Sequence, residues 1–138
     1  MIHTFEELIK NQSGLDGDFL IDPDTDERVP FSDIDVRTAE IADSLISAGM
    51  KHGDRVALAL TNGIGACLTV LGVIRAGGVL VPVNPGLRET EFEYIISNSQ
   101  ASFLVSNDDI LAECGINVRK LDTETIGDIV GAKLYALH

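Results

Sequence analysis

The sequence predicts an α/β fold in which a mostly parallel sheet is flanked by helices and preceded by an N-terminal β-hairpin. Short runs of branched apolar residues alternate with segments of helical periodicity from residue 55 onward, as they do where crossover helices join parallel strands. A glycine pair and an Asn-Gly turn separate some of these segments. The 138 residues contain no repeat, low-complexity stretch or linker, so we expect a single domain spanning residues 1–138.

Three elements are expected before residue 50. Helical spacing behind a threonine cap predicts a short amphipathic helix. Two apolar runs around an Asp-Pro turn predict an antiparallel hairpin, and a longer helical pattern ends at a glycine. These elements span Thr4–Lys10, Phe19–Ile21 with Arg28–Phe31, and a helix that is capped by Ser32 or Asp33 and ends at Gly49.

Strands and helices then alternate to the end of the chain. One segment, Ile64–Ala76, is apolar around most of its circumference, which predicts a helix buried between layers. The strand runs are continuous rather than alternating, as is typical of a sheet covered on both faces. The predicted strands are Arg55–Leu60, Val79–Val83, Ser102–Val105 and Val118–Leu121, and the remaining helices are Glu89–Ser99, Asp108–Cys114 and Thr123–His138.

The composition argues against several classes of partner. Ten Lys and Arg against 22 Asp and Glu give a net charge of −12, and such an acidic surface repels nucleic-acid phosphates and anionic lipids. Cys67 and Cys114 are too few for a disulfide framework, and their apolar neighbours predict buried, reduced thiols. There is neither a signal peptide nor an apolar run of about 20 residues. We therefore expect a cytoplasmic protein without nucleic-acid or membrane partners.

Two segments approach known ligand loops without completing them. Asn62–Gly65 leads from a strand into a helix, where phosphates bind, but Leu68 stands where a dinucleotide fingerprint needs its third glycine. Asp22–Asp26 has aspartates at alternate positions as in a calcium loop, but Glu27 occupies the glycine position. Strand–helix packing and a solvated hairpin tip are the simpler interpretations. A nucleotide site at Asn62–Gly65 stays open as an alternative.

No residue acquires a catalytic, cofactor-binding or metal-binding role from these patterns. The three histidines are far apart in sequence and have no cysteine or carboxylate at ligand spacing. Neither a P-loop nor a Gly-x-Ser-x-Gly nucleophile motif occurs. We therefore predict no catalytic, cofactor or metal site within the chain.

Several short motifs occur in a fixed order along the chain. They are Gly53-Asp54-Arg55-Val56, Asn62, Val81-Pro82-Val83-Asn84-Pro85 and Arg88-x-x-Glu91. Each is weak alone, but their order and spacing resemble the N-terminal subdomain of the adenylate-forming (AMP-dependent synthetase/ligase) enzymes over roughly residues 4 to 122. The Asn-Pro pair and Asn62 are more similar to acyl-CoA synthetases than to peptide-synthetase modules.

The resemblance implies an activity for the complete enzymes. They activate a carboxylate with ATP and magnesium as an acyl-adenylate, which then passes to a thiol such as coenzyme A. The family's phosphate loop, magnesium ligand, ribose-binding Asp and catalytic Lys lie further along the family's chain and do not occur in these 138 residues. The resemblance therefore implies an N-terminal ligase fragment that is not catalytic and binds none of these cofactors by itself.

Other interpretations of the resemblance are a stand-alone, non-catalytic interaction module and one chain of a split ligase. The expected partner is the remainder of the ligase or a companion chain, and the high apolar content, 45%, predicts self-association.

The motif residues are expected to have structural roles. Asp54 should cap or pin the turn that enters its strand, between Gly53 and Arg55. Pro82 and Pro85 should fix the exit of the next strand, and Glu91 should pair with Arg88 at one-turn spacing. Thr61 departs from the family's usual proline, which loosens that turn.

Overall fold

A two-stranded hairpin and a larger mixed sheet organise the chain. The computed structural model describes residues 4–107 and 132–137, together with the backbone of residues 119–120. Within these ranges the elements, in chain order, are α1 (Phe5–Gln12), β1 (Asp18–Ile21), β2 (Arg28–Pro30), α2 (Phe31–Ser47), β3 (Arg55–Ala59), α3 (Ile64–Arg75), β4 (Val79–Pro82), α4 (Glu89–Ser99), β5 (Phe103–Ser106), β6 (Arg119–Lys120) and β7 (Lys133–Ala136).

The larger sheet has the strand order β4-β3-β5-β7-β6. Strand β3 pairs in parallel with both β4 and β5, whereas β7 is antiparallel to β5 and β6. Strands β1 and β2 form a separate antiparallel hairpin. The predicted α/β fold with an N-terminal hairpin is confirmed, and the antiparallel strands make the sheet mixed.

The two crossovers place helices on opposite faces of the sheet. The chain moves from β3 to β4 through α3 and then back across β3 to β5 through α4. Crossovers between parallel strands are right-handed as a rule, so opposite directions of travel put α3 and α4 on different faces. The first face is covered by α1, α2, α3 and the hairpin, and the second by α4. Along β3, Val56 and Leu58 face the first core while Ala57 and Ala59 face the second.

Helices α2 and α3 cross at close range on the first face. A Cβ atom added at Gly72 would lie 2.6 Å from Cβ of Ile41, so only glycine allows this separation of the two helix axes. Arg75, in the last turn of α3, has a side chain that is only 9% exposed. Its guanidinium donates to the Asp35 carboxylate at 2.6 Å and to the Asp35 carbonyl at 2.9 Å. The arginine therefore fixes α3 against α2.

The helix starts agree with the sequence in one case and differ in another. Thr4 caps α1 by accepting a hydrogen bond from the Glu7 N–H at 3.1 Å, as predicted. The prediction that Ser32 or Asp33 caps α2 is wrong, because α2 begins at Phe31 after an extended Pro30. Both polar residues then lie in the first turn, where the Asp33 carboxylate still complements the helix dipole.

The predictions for the end of the chain have mixed outcomes. The helix predicted over Thr123–His138 is wrong where it can be compared, because Lys133–Ala136 forms β7. Strand β7 is buried, so its sequence lacks the alternation of polar and apolar residues that distinguishes a short strand from a helix. The strand predicted over Val118–Leu121 contains β6, and the predicted helix Asp108–Cys114 lies outside the described residues. None of the helices in the described ranges is long and apolar enough to cross a bilayer.

Candidate functional site

The motif residues lie in two groups at opposite ends of the parallel strands. We call them the amino-end junction and the carboxyl-end junction. The amino-end junction consists of Gly53, Asp54 and Arg55, and the carboxyl-end junction consists of Pro82, Asn84, Pro85, Arg88 and Glu91.

The amino-end junction aligns the starts of β3 and β4. The Asp54 carboxylate accepts a hydrogen bond from the Lys51 N–H at 2.9 Å, which closes the turn before β3. Gly53 adopts a φ of +87°, a conformation that favours glycine, and its N–H donates to the Gly77 carbonyl at 2.8 Å. The Asp54 carbonyl accepts from the Val79 N–H, also at 2.8 Å. Asp54 thus pins the turn into its strand as the sequence suggested.

Arg55 extends the same junction to α4 and β5. Its guanidinium donates to the Ser99 carbonyl at 2.7 Å, where α4 ends, and its own carbonyl accepts from the Ser102 N–H at 2.8 Å. Three consecutive residues therefore hold the amino ends of three parallel strands together. The Ser99 contact could not be inferred from sequence, because 44 residues separate its partners.

We expect Asp54→Ala to lower the free energy of unfolding by about 1 kcal/mol, because the turn loses one hydrogen bond to a charged acceptor. Urea titration followed by circular dichroism measures the change. Asp54→Asn keeps an acceptor at the same place and should recover about half of the loss. Equal stability of Asp54→Ala and the parent chain would contradict this role.

The carboxyl-end junction turns β4 into α4. The Val83 N–H donates to the Leu58 carbonyl at 2.9 Å, and the Asn84 side chain then accepts the Gly86 N–H at 2.9 Å. Arg88 is the N-cap of α4. Its backbone N–H donates to the Glu91 carboxylate at 3.2 Å, and its guanidinium lies 3.1 Å from the same carboxylate. The predicted Arg88–Glu91 pair is present.

The ionisation of Glu91 reflects this pairing. Its pKa lies below the ordinary value because the Arg88 side chain, and then the Arg88 backbone N–H, donate to the carboxylate. The lowered pKa means that the pair favours the folded helix start at neutral pH and is lost as the pH falls through that pKa. The pair is exposed, so it orients α4 more than it stabilises the fold.

Pro82 lies on the outer edge of the large sheet. Because Val83 turns its N–H toward β3, the alternate residue Pro82 turns its backbone away from β3. Proline has no N–H, so it removes a donor from the free edge of β4. This placement explains why a proline is tolerated in a strand of the sheet.

Asn62, Gly63 and Ile64 line a cleft between the start of α3 and the hairpin turn. The cleft has a volume of about 280 Å³, and its lining residues are Leu20, Ile21, Asp22, Pro23, Asp24, Asn62, Gly63, Ile64 and Cys67. The prediction that Cys67 is buried is wrong, because its side chain is exposed at this cleft. Cys67 sits on the stripe of α3 that no neighbouring element covers within the described residues. Cys114 lies outside the described residues.

The chemistry of the cleft does not suit a phosphate or a calcium ion. Asp22 and Asp24 line the cleft together with the start of α3, and their negative charges disfavour an anion there. Asp22 instead accepts the N–H groups of Asp24 and Thr25 at 2.9 and 3.3 Å and shapes the hairpin turn. In the described part of the chain, no group of three or more His, Cys, Asp or Glu residues is placed to hold a metal ion.

The chain matches a protein family over most of its length. A family model described as AMP-binding enzyme matches residues 9–134. The long-chain-fatty-acid–CoA ligase FadD13 of Mycobacterium tuberculosis is 32% identical over 85 residues, which are 62% of this chain and 17% of that ligase. The acyl-CoA ligase azaF of Aspergillus niger is 34% identical over 88 residues, 64% of this chain and 17% of the ligase. The chain thus spans about a sixth of these curated relatives.

Solved structures share the fold. The inhibitor-bound N-terminal domain of FACL13 from Mycobacterium tuberculosis superposes with a TM-score of 0.68 at 26% identity, covering 75% of this chain and 26% of that chain. ATP-bound MatB from Rhodopseudomonas palustris gives a TM-score of 0.70 at 23% identity over 81% of this chain and 23% of that chain. The resemblance of the motifs is confirmed: the chain belongs to the AMP-binding enzyme family of adenylate-forming enzymes and matches the N-terminal part of acyl-CoA ligases.

Proposed function

We propose that the chain is the N-terminal structural segment of an ATP-dependent, carboxylate-activating acyl-CoA synthetase and forms no acyl-adenylate by itself. The observation that carries this proposal is the use of the motif side chains. Asp54 and Arg55 bond to backbone groups, and Asn84 does the same at the other end of β4. These side chains hold strands and turns in register, which is a structural use of the motifs.

The cleft at the start of α3 does not suit ATP with its magnesium ion. The cleft at the start of α3 offers two carboxylates and no arginine or lysine among its lining residues, whereas a triphosphate needs cationic or N–H donors. We therefore assign ATP, magnesium and coenzyme A binding to ligase polypeptide outside these 138 residues. That polypeptide, whether continuous with this chain or a companion chain, is the proposed partner.

We predict that the chain alone catalyses no exchange of radiolabelled pyrophosphate into ATP with any of a panel of short, long and aromatic carboxylic acids. FadD13 assayed under the same conditions supplies the positive control. Exchange above the no-enzyme rate would overturn the proposal. A thermal-shift titration with millimolar ATP, AMP and FMN tests the alternative nucleotide site at Asn62–Gly65, where a clear rise in Tm would support that alternative.

A further inference from the structure

The free strand edges of the described chain differ in their chemistry. The outer edge of β4 carries Pro82, which has no N–H to offer. In the hairpin, the Asp22 N–H donates to the Glu27 carbonyl, and Leu20 pairs with Val29. The alternate pair, Ile21 on β1 and Arg28 on β2, therefore turns its backbone groups outward on the two edges of the hairpin. Pro82 and Pro30 each remove an outward N–H donor from β4 and β2, whereas β1 contains no proline and Ile21 keeps its outward N–H.

The side chains of β1 agree with an incomplete sheet. Ile21 is 51% exposed and Phe19 is 36% exposed, while the intervening Leu20 packs against the core. A two-stranded hairpin with one covered face is marginal in water. Large apolar side chains on the open face of an unprotected strand are typical of a surface that another segment covers.

A cleft runs along the same side of β1. All of its hairpin lining residues come from β1 and the turn, Leu20 to Asp24, and none comes from β2. Its opposite wall is the start of α3, with Asn62, Ile64 and Cys67. A segment added to β1 would thus place side chains in a cleft that is mostly apolar and whose polar lining residues are Asn62, Cys67 and the two aspartates of the turn.

We propose that an extended segment of the remaining ligase polypeptide docks on β1 by strand addition and fills this cleft. The inference rests on the proposed function. In the FACL13 domain, the chain matches only 26% of the polypeptide, so the related structure contains ample chain to supply such a segment. Backbone hydrogen bonds to Ile21 give affinity in this mode, and side chains in the cleft give specificity.

The charges of the hairpin select the occupant. Asp22 and Asp24 lie at the cleft, and the whole chain carries a net charge of −12. A second copy of this chain would bring the same acidic turn and be repelled. An apolar strand flanked by lysine or arginine fits the cleft instead. Self-association through β1 is therefore the disfavoured outcome.

The test uses this chain together with FadD13 lacking its own matching N-terminal segment. The two are produced as separate, co-expressed chains and as one continuous fusion, so the arms distinguish a companion chain from a continuation. Alkylation of Cys67 by N-ethylmaleimide is followed by peptide mass spectrometry, which reports Cys67 separately from Cys114. A cleft that is occupied nine-tenths of the time should slow alkylation about tenfold relative to the free chain.

Matched variants complete the test. Ile21→Lys should reduce co-purification and restore the fast alkylation of Cys67, whereas Ile46→Lys, at a similarly exposed site on α2 (53%), should leave both unchanged. An assembly in which Cys67 reacts as fast as in the free chain, or in which the two variants behave alike, overturns the inference and leaves the proposed function standing. If neither the co-expressed chains nor the fusion assembles, both this inference and the proposed function are overturned. Concentration-dependent protection of Cys67 in the free chain would identify a second copy as the occupant and overturn the assignment.

Discussion

Replacing Phe92 by alanine should lower the free energy of unfolding by about 4 kcal/mol, because truncating a buried phenylalanine removes apolar burial and leaves a cavity. Phe92 is fully buried in the core between α4 and the second face of the sheet. Its neighbours there include the small residues Ala57 and Ala59 of β3. Alanines on the sheet let α4 approach closely, and these two small side chains cannot fill the space that Phe92 leaves.

Urea unfolding followed by circular dichroism measures the Phe92 effect. Domains of this size are stable by only about 5–15 kcal/mol, so Phe92→Ala should lower the urea midpoint by a large fraction of its value. Phe92→Leu should lose only about 1.5 kcal/mol. Tyr94→Ala, on the same helix but 68% exposed, should change stability by less than about 0.5 kcal/mol. A loss for Phe92→Ala no larger than that for Tyr94→Ala would show that α4 does not seal the second core.

The sequence predicted the elements whose boundaries carry strong local signals. Glycine and asparagine turns bound β3 and α3, and α4 spans Glu89–Ser99 as its periodicity indicated. It failed for β7, because Leu134 and Tyr135 are both buried on opposite faces of the sheet and so leave no period-two pattern to read. It failed for Cys67 for a tertiary reason, since nothing local says which stripe of an apolar helix its neighbours will cover.

The candidate site was predictable only in part. Motif order identified the residues of both junctions, and local spacing was sufficient for the Asp54 turn and the Arg88–Glu91 pair. The bond from Arg55 to Ser99 and the cleft between β1 and α3 arise from contacts between distant segments, which periodicity does not encode. Arg75 carries a signal that is visible in the sequence. A single arginine near the end of an otherwise apolar helix must either reach solvent or find a carboxylate partner.

Arg75 links three helices on the first face of the sheet. Besides its bonds to Asp35, its guanidinium donates to the Thr38 hydroxyl at 3.2 Å and lies 3.5 Å from the Glu6 carboxylate of α1. Thr38 is fully buried and in turn donates to the Ile34 carbonyl at 2.6 Å. The arginine therefore satisfies acceptors on α2 that are partly withdrawn from water, while its contact with the exposed Glu6 is peripheral.

We expect Arg75→Met to lower the free energy of unfolding by about 3 kcal/mol, the lower end for breaking a buried ion pair, because Asp35 keeps some access to water after its partner is removed. Chemical denaturation gives the change. Arg75→Lys retains the charge but cannot bond to the Asp35 carbonyl, the Asp35 carboxylate and Thr38 at once, so it should fall between Arg75→Met and the parent chain. Glu6→Gln should leave the midpoint nearly unchanged, since Glu6 is solvent-exposed. If Glu6→Gln and Arg75→Met destabilised equally, the stabilising contact would lie between α1 and α3; the geometry instead assigns it to the α2–α3 crossing, where Gly72 already brings the two helices together.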